Sequence, residues 1–285
     1  MVKKSLADAY ELNNGVLIPC VGFGTWQSKN GEMAYQAVTA ALSCGYRHID
    51  TAACYGNEES IGQAIVDSDV PREEIFVTSK LWNTERGYEK TLAAFQETMR
   101  RLKLEYLDLY LIHWPLARGP KEEWSRVNSD TWRAFEKLYA EGYIRAIGVS
   151  NFLGHHLEPL MENAKVMPAV DQIEIHPGYR QQEAVDFCKA HNIVVEAWGP
   201  MGTGRLLDNE QLKAIGAKYG KSVAQICIRW DIQHGILPLP KSSNPERIAQ
   251  NAQVFDFELS DEDMRVIDQM PFCGGLKMHP DKVEF

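Results

Sequence analysis

The sequence lacks the features that mark secreted, membrane-spanning and nucleic-acid-binding proteins. The segment Met1 to Asp8 begins with basic residues but has no apolar run behind them, so we expect no secretory signal. No segment approaches the roughly 18 apolar residues that a membrane span needs. The net charge of −9 argues against nucleic acid or an anionic membrane surface as the main partner. We therefore expect a small-molecule partner.

Paired cysteines are also missing. The six cysteines are scattered and no two form a C-x-x-C pair. A chain of 285 residues does not need disulfides to stabilise its core, so we interpret the cysteines as free, mostly buried thiols. This interpretation predicts a reducing compartment, and the cytoplasm in particular.

The sequence has no complete dinucleotide-binding fingerprint of the Rossmann type. Gly22-Phe23-Gly24 is followed by Thr25-Trp26-Gln27, so the third glycine of G-x-G-x-x-G is absent. A nucleotide cofactor, if there is one, must be held by another arrangement.

Strand-like and helical patterns alternate along the chain without a linker or a low-complexity tract. We predict strands near 21–26, 46–49, 75–79, 107–112, 144–149, 169–175, 193–198 and 236–240. We predict helices near 32–44, 57–66, 88–102, 130–140, 153–163, 181–190, 209–218, 222–233, 245–251 and 261–269, with a loop over 115–128.

This strict order favours a parallel sheet, and eight strand–helix units favour a (β/α)8 TIM barrel in the α/β class. Residues 10–19, with an Asn-Gly turn, predict an N-terminal β-hairpin that plugs one end of the barrel. The helices after the last strand are additional C-terminal helices. We expect one domain over residues 1–285, with a doubly wound open sheet as the alternative fold.

Three consecutive predicted strands end in residues that carry chemistry. Asp50, Lys80 and His113 follow these strands, and Tyr55 lies in the loop after the first of them. A barrel gathers its catalytic residues at the carboxyl ends of its strands, so we expect these four side chains to form one site. Taken singly, each also has a structural interpretation: an Asp–Lys ion pair, a tyrosine in a pocket wall, and a structural histidine.

The four residues suit the reduction of a carbonyl group. A free phenol has a pKa of about 10, and we expect the Lys80 ammonium to lower that value so that Tyr55 donates a proton. Asp50 would hold Lys80, and His113 would hydrogen-bond the carbonyl oxygen. Three alternatives are a Schiff-base aldolase using Lys80 or Lys241, a cofactor-binding module without turnover, and a metal hydrolase. The last would use His48, Asp50, His113 and His176.

The segment after the eighth predicted strand has the features of an anion site. Asn244 and Pro245 suit the N-cap and first position of a helix, and helix N-termini bind phosphate. Lys241 and Arg247 add positive charge nearby. The alternative is a charged surface helix. Combined with hydride chemistry, the segment favours the additional phosphate of NADP(H) over NAD(H).

Six segments of the sequence are distinctive: Gly45-Tyr46-Arg47-His48-Ile49-Asp50-Thr51-Ala52, Tyr55-Gly56-Asn57-Glu58, Lys80-Leu81-Trp82, Asp108-Leu109-Tyr110-Leu111-Ile112-His113-Trp114-Pro115, Ile147-Gly148-Val149-Ser150-Asn151-Phe152 and Pro240-Lys241-Ser242. With these segments the chain resembles the aldo-keto reductases over almost its whole length. The resemblance implies NADPH-dependent reduction of aldehydes and reactive ketones to alcohols, with no metal. It implies a catalytic tetrad of Asp50, Tyr55, Lys80 and His113.

The resemblance also implies two sets of binding residues. The cofactor contacts would be Gly24, Thr25, Trp26, Asp50, Ser150, Asn151, Gln172, Trp198, Gly199, Pro200, Lys241, Ser242, Ser243, Asn244, Arg247, Gln250 and Asn251. Among these, Ser150, Asn151 and Gln172 would bind the nicotinamide carboxamide. The substrate contacts would be Trp26, Tyr55, Trp82, His113 and Trp114.

Three departures from the family pattern affect the details. Trp198 stands where many members stack a tyrosine on the nicotinamide, and Gln250 replaces an acidic residue at a cofactor contact. The loop over 115–128 and the segment after Met270 are short. The short loops are similar to those of 2,5-diketogluconate reductases, glyoxal or methylglyoxal reductases and trypanosomatid prostaglandin F synthases. We expect a monomer.

Overall fold

The N-terminal hairpin closes one end of the fold. The computed structural model describes residues 3–116, 119–274 and 278–283. Strands β1 (Ala9–Glu11) and β2 (Leu17–Pro19) pair in antiparallel register. Leu12 and Ile18 belong to the same buried cluster as residues at the amino-terminal ends of the barrel strands. The hairpin therefore plugs the barrel at the end opposite the carboxyl ends of its strands, as the sequence predicts.

Eight parallel strands, paired in chain order, form the barrel. They are β3 (Phe23–Gly24), β4 (His48–Asp50), β5 (Phe76–Leu81), β6 (Leu107–Ile112), β7 (Ile144–Ser150), β8 (Val170–Glu174), β9 (Val194–Trp198) and β10 (Leu237–Leu239). The predicted (β/α)8 fold is confirmed, and the open-sheet alternative is wrong.

Two backbone hydrogen bonds join the first barrel strand to the last. The amides of Gly22 and Gly24 donate to the carbonyl oxygens of Pro238 and Pro240, each at 3.0 Å. A Cβ atom on Gly22 would lie 2.4 Å from Cδ2 of Leu239, closer than real Cβ contacts come. Glycine is thus needed for the strands to meet at this seam.

Ten helices of the described residues surround the barrel. They are α1 (Glu32–Ser43), α2 (Glu58–Val66), α3 (Tyr88–Leu102), α4 (Lys121–Ala140), α5 (Gly154–Met161), α6 (Gln182–Ala190), α7 (Glu210–Tyr219), α8 (Val223–Gln233), α9 (Pro245–Ala252) and α10 (Asp261–Asp268). Their apolar faces bury the outer face of the sheet in one large cluster. None of the described helices is both long enough and apolar enough to cross a membrane.

The predicted loop over 115–128 is wrong in its second half. Helix α4 begins at Lys121, following Pro120, so the connection from β6 is shorter than expected. Glu122 and Glu123 lie in the first helical turn, where carboxylates interact favourably with the helix dipole, and Trp124 is buried. The sequence predicts a loop at Glu122 and Glu123 because these residues precede the part of the helix in which apolar residues recur at helical spacing.

Alternation along the strands separates two environments. Side chains two residues apart point to the same face of a strand, so His48 and Asp50 share one face of β4, and Glu196 and Trp198 share one face of β9. His48, Asp50 and Glu196 are buried and polar, and they lie inside the barrel. The interior of the barrel thus carries a polar layer beneath the carboxyl ends of the strands.

Candidate active site

A buried ion pair forms the base of the site. Nζ of Lys80, on β5, lies 2.7 Å from both carboxylate oxygens of Asp50, at the end of β4. The same ammonium donates to the carbonyl oxygen of Thr51 at 2.9 Å. Lys80 is 0% exposed and Asp50 is 3% exposed, so each charge depends on the other for compensation. An ammonium engaged in this way is not a free nucleophile, which argues against the Schiff-base alternative at Lys80.

Tyr55 lies beside this ion pair, in the single 3-10 turn Ala53–Tyr55 that follows β4. Its hydroxyl oxygen is 3.4 Å from Nζ of Lys80. Burial raises the pKa of Tyr55 well above its ordinary value, and the Asp50 carboxylate raises it further. The net lowering of the pKa of Tyr55 that we expected from Lys80 is therefore wrong, because desolvation of the phenol, followed by the Asp50 charge, raises it. Tyr55 keeps its proton near neutral pH and remains available as an acid.

His113 follows β6 on the other side of Tyr55. Its ring makes edge contacts with the rings of Tyr55 and Trp82, at centroid distances of 5.7 Å and 5.2 Å. Burial lowers the pKa of His113 well below its ordinary value, and the positive charges of Lys80 and Arg86 lower it further. The imidazole is therefore neutral near neutral pH and presents one N–H.

Cys54 is a site residue that the sequence analysis missed. Its Sγ lies 3.5 Å from Nδ1 of His113. Burial raises the pKa of the Cys54 thiol to about 11, so the sulfur keeps its hydrogen and can either donate to Nδ1 or accept from it. When the thiol donates, Nδ1 accepts and the imidazole hydrogen lies on Nε2. The adjacency of Cys54 to Tyr55 in sequence was the available signal.

The residues predicted to bind the nicotinamide carboxamide are connected to one another. The hydroxyl of Ser150, at the end of β7, donates to the carbonyl oxygen of Gln172 at 2.7 Å. Nδ2 of Asn151 donates to the carbonyl oxygen of His113 at 2.9 Å. Nε1 of Trp198 donates to Oδ1 of Asn151 at 2.8 Å. The ends of the four strands β6, β7, β8 and β9 are thus joined through side chains around the same opening.

The predicted phosphate segment has the expected local structure. Oδ1 of Asn244 accepts from the amide of Arg247 at 3.0 Å and caps α9, which has Pro245 in its first turn. Within the described residues, neither Lys241 nor Arg247 has a carboxylate partner in ion-pair range. Burial lowers the pKa of the half-buried Lys241, so its charge is incompletely solvated. A capped helix start with two unpaired cations is suited to an anion.

A cavity of about 440 Å³ connects most of the predicted site residues. Those that line it are Gly24, Trp26, Asp50, Tyr55, Trp82, His113, Trp114, Ser150, Asn151, Gln172, Trp198, Gly199, Pro200 and Lys241. Those outside its lining are Thr25, Ser242, Ser243, Asn244, Arg247, Gln250 and Asn251. The ligand contacts of both groups of residues stay predictions. Lining residues that the sequence analysis missed are Gln27, Cys54, Met201, Thr203, Gly204, Leu207, Leu239 and Met278.

The metal-hydrolase alternative lacks its ligand set. Within the described ranges, the one group of three close ligand-type side chains is His155, His156 and Asp281, and it contains none of the residues that this alternative needs. His156 does not suit a metal either. Its Nδ1 accepts from the amide of Leu153 at 3.0 Å, so Nε2 carries the hydrogen.

This geometry agrees with the comparison to known sequences, in which the profile of the Aldo/keto reductase family matches residues 20–271. The chain belongs to this family. As an aldo-keto reductase it is an NADP(H)-dependent oxidoreductase that acts on the carbonyl groups of small molecules.

Two relatives of this aldo-keto reductase are similar along nearly their full length. Glyoxal reductase of Bacillus subtilis (strain 168) is 52% identical over 281 residues, which is 99% of both chains. The 9,11-endoperoxide prostaglandin H2 reductase of Trypanosoma cruzi (strain CL Brener) is 51% identical over 91% of this chain and 90% of its own. A solved aldo-keto reductase of Bombyx mori, in complex with NADP, superposes with a TM-score of 0.83 at 39% identity and covers 92% of each chain.

Proposed function

We propose that this aldo-keto reductase reduces small, uncharged aldehydes and α-dicarbonyl compounds, with Tyr55 as the proton donor. The observation that carries the proposal is the hydroxyl of Tyr55, 3.4 Å from an ammonium that Asp50 holds at 2.7 Å. His113 lies on the other side of the same phenol. A protonated phenol, a fixed cation and a neutral imidazole are what protonation of a carbonyl oxygen requires.

Each residue of the tetrad has one role in the proposed reaction. When bound, NADPH supplies the hydride that adds to the carbonyl carbon. Nε2–H of His113 donates to the carbonyl oxygen and orients it toward Tyr55. Tyr55 gives its proton to that oxygen as negative charge develops there. Lys80 then stabilises the resulting phenolate, and Asp50 keeps Lys80 in place.

The residues present fit the cofactor at both of its ends. Ser150, Asn151 and Gln172 offer hydroxyl and amide groups to a carboxamide, and Trp198 offers a flat ring held by a hydrogen bond. Lys241 and Arg247 offer positive charge for a phosphate beside the start of α9. NADPH carries an additional phosphate at its adenosine end, and two such cations would bind this phosphate.

The outer wall of the cavity supports an uncharged substrate. Trp26, Trp82, Trp114, Leu207 and Met278 form an aromatic and aliphatic surface above the tetrad. Lys241 is the one cationic side chain among the described lining residues, and we assign it to the cofactor. A sugar acid would therefore leave its carboxylate without a partner, so we rank diketogluconate below methylglyoxal and aromatic aldehydes.

A second candidate substrate is prostaglandin H2. The relative from Trypanosoma cruzi, 51% identical, is named for its reduction. The apolar outer wall is compatible with the lipid chain of prostaglandin H2. Its carboxylate, like that of diketogluconate, would lack a cationic partner in the described lining, so we rank prostaglandin H2 below the uncharged carbonyls.

The test is the loss of absorbance of reduced nicotinamide with a panel of methylglyoxal, 4-nitrobenzaldehyde, 2,5-diketogluconate and prostaglandin H2. We expect turnover with NADPH, with kcat/KM highest for the uncharged carbonyls. A preference for diketogluconate would contradict the proposed substrate class. Tight NADPH binding without turnover on any of the four would favour the binding-module alternative.

We also propose that the protein is a cytoplasmic monomer and that residues 1–285 form one domain. The continuous barrel and the family match over residues 20–271 support a single domain. The scattered free cysteines support a reducing compartment. Light scattering coupled to gel filtration tests the monomer, and a mass of twice 32.3 kDa would contradict it.

A further inference from the structure

Gln172 and Glu196 form a buried pair beneath the catalytic ion pair. The two residues lie directly opposite each other in the register of β8 and β9, and both point into the barrel. Nε2 of Gln172 donates to Oε2 of Glu196 at 2.7 Å and to Oδ2 of Asp50 at 2.9 Å. A side-chain amide has two N–H groups, so both hydrogens of Gln172 are used in these bonds.

These two bonds fix the direction of the amide oxygen. If the amide were turned over, Oε1 would face Oδ2 of Asp50, and Nε2 would lose its bonds to Asp50 and Glu196. Oxygen against the Asp50 carboxylate is unfavourable and two donors would lose their acceptors, so the observed orientation is the stable one. Oε1 accepts no hydrogen bond from the described residues, and Gln172 lines the cavity. The oxygen is thus available to a donor in the cavity.

Glu196 itself does not reach the cavity. It is 0% exposed and is absent from the lining residues. The charged and titratable groups around it are Asp50, Lys80, Asp171 and His48, whose Nε2 lies 3.7 Å from Oε1 of Glu196. Burial lowers the pKa of His48 to about 3, so that ring is neutral. Burial, followed by the Asp50 charge, raises the pKa of Glu196 to about 8. Protonated or not, Glu196 keeps an oxygen that accepts from Gln172.

We propose that Glu196 is a positioning residue, which turns the amide of Gln172 so that its oxygen accepts the N–H of the nicotinamide carboxamide. The inference rests on the proposed function, because it assumes that Gln172 contacts this part of the cofactor. Glu196 acts through Gln172 and contacts neither substrate nor cofactor. Its side chain is on the same face of β9 as Trp198, two residues away. Strand β9 thus carries both the indole that would stack on the nicotinamide ring and the residue that would orient Gln172 toward the carboxamide.

Two variants separate orientation from packing. Glu196→Gln keeps an oxygen that accepts from Nε2 of Gln172 at nearly the same volume. Glu196→Met has a similar length and no strong acceptor. It removes the bond at 2.7 Å and leaves Gln172 held by Asp50 alone. Circular dichroism and thermal unfolding show whether both variants fold.

The readout is the affinity for NADP+ compared with its 3-acetylpyridine analogue, in which a methyl group replaces the carboxamide NH2. Dissociation constants are measured by calorimetry, without turnover. We expect the wild-type protein and Glu196→Gln to bind NADP+ about 5- to 10-fold more tightly than the analogue, the effect of one hydrogen bond. We expect Glu196→Met to bind the two with nearly equal affinity.

The possible failures are distinguishable. If Glu196→Met discriminates as strongly as the wild-type protein, the role of Glu196 is overturned while that of Gln172 stands. If Glu196→Gln loses discrimination together with Glu196→Met, the acceptor argument is overturned. If the wild-type protein itself binds both dinucleotides equally, the assignment of Gln172 in the proposed function fails, and the inference about Glu196 fails with it.

Discussion

Trp198 donates its indole N–H to the side-chain oxygen of Asn151 at 2.8 Å. Asn151 has a φ of 61°, a left-handed conformation that asparagine tolerates better than most residues. Its Nδ2 donates to the backbone oxygen of His113 at 2.9 Å. The ring assigned to stacking on the nicotinamide is therefore fixed in its plane, and the same asparagine holds the backbone of a catalytic residue.

The first expectation concerns this hydrogen bond. Trp198→Phe keeps an aromatic face but removes the N–H, so we expect NADP+ to dissociate about 5-fold more readily, from the loss of one hydrogen bond. Trp198→Ala removes the stacking as well and should weaken binding further. Calorimetric titration of each variant provides the measurement. Equal affinity of wild type and Trp198→Phe would show that the bond to Asn151 does not support the cofactor.

The second expectation concerns the proton donor. Tyr55→Phe removes the acid and almost no packing, so we expect kcat to fall by about 10²- to 10⁴-fold while the Kd of NADPH changes little. Tyr35→Phe, at a half-buried tyrosine of α1 whose hydroxyl donates to Asp67 outside the site, is the matched control. Stopped-flow and steady-state assays with methylglyoxal give the comparison. Normal turnover by Tyr55→Phe would exclude Tyr55 as the donor.

The third expectation is a flat pH profile for carbonyl reduction. The pKa of His113 is lowered, so raising the pH through neutrality does not change its charge. The pKa of Tyr55 is raised, so the acid form persists until the solution is strongly alkaline. We expect kcat/KM to vary by less than about 2-fold between roughly pH 6 and 9. A titration near the ordinary histidine pKa would mean that His113 is charged in the working enzyme.

The fourth expectation tests the phosphate site. Arg247→Ala should weaken NADPH binding at least about tenfold and leave NADH almost unaffected, since only NADPH carries the additional phosphate. Arg265→Ala, on the exposed face of α10, serves as the control for loss of one positive charge. Dissociation constants for both cofactors decide the matter. Parallel losses for NADPH and NADH would remove Arg247 from this role.

The fifth expectation links Glu196 to stability. Its pKa rises from 4.5 to about 8 on folding, so the folded state opposes its ionisation. The contribution of Glu196 to the stability of the wild-type protein is therefore most favourable below about pH 4.5 and is lost as the pH rises to about 8. Glu196→Gln does not ionise. Its free energy of unfolding, relative to wild type, should rise by roughly 4 kcal/mol across that range, which urea titrations at several pH values measure.

The sequence contained most of the fold because its signals are local. Strands β5 and β6 and helix α3 agree with periodicity and turn residues to within two residues. The tetrad was predicted because strand order alone brings strand ends together in a barrel. The direction in which a side chain points inside the barrel depends on contacts with residues that are distant in the sequence. The adjacency of Cys54 to Tyr55 places this cysteine near the site. The contacts of Cys54 with His113 and of Glu196 with Gln172 join distant segments, however, and no spacing in the sequence indicates either contact.

The same limit explains the error about Tyr55. The sequence shows that a lysine lies near a phenol, which alone would lower its pKa. It does not show that both oxygens of Asp50 lie 2.7 Å from the Lys80 ammonium, nor that desolvation of the half-buried phenol is the largest influence on its pKa. The balance between attraction and desolvation is set by distances of a few ångströms, and only the folded structure provides them.

The strands of the barrel are not joined by equal numbers of hydrogen bonds, and the seam between β3 and β10 has few of them. Pro238 and Pro240 have no N–H, so the hydrogen bonds across the seam come from Gly22 and Gly24 alone. Their amides should exchange with deuterium sooner than those of the long strands β5 and β6, because opening the seam breaks few bonds. Lys241 lies two residues after the end of β10 and beside Gly24. A dinucleotide that contacts both Gly24 and Lys241 would hold the two strands together at the seam, and it would slow the exchange of the amides of Gly22 and Gly24.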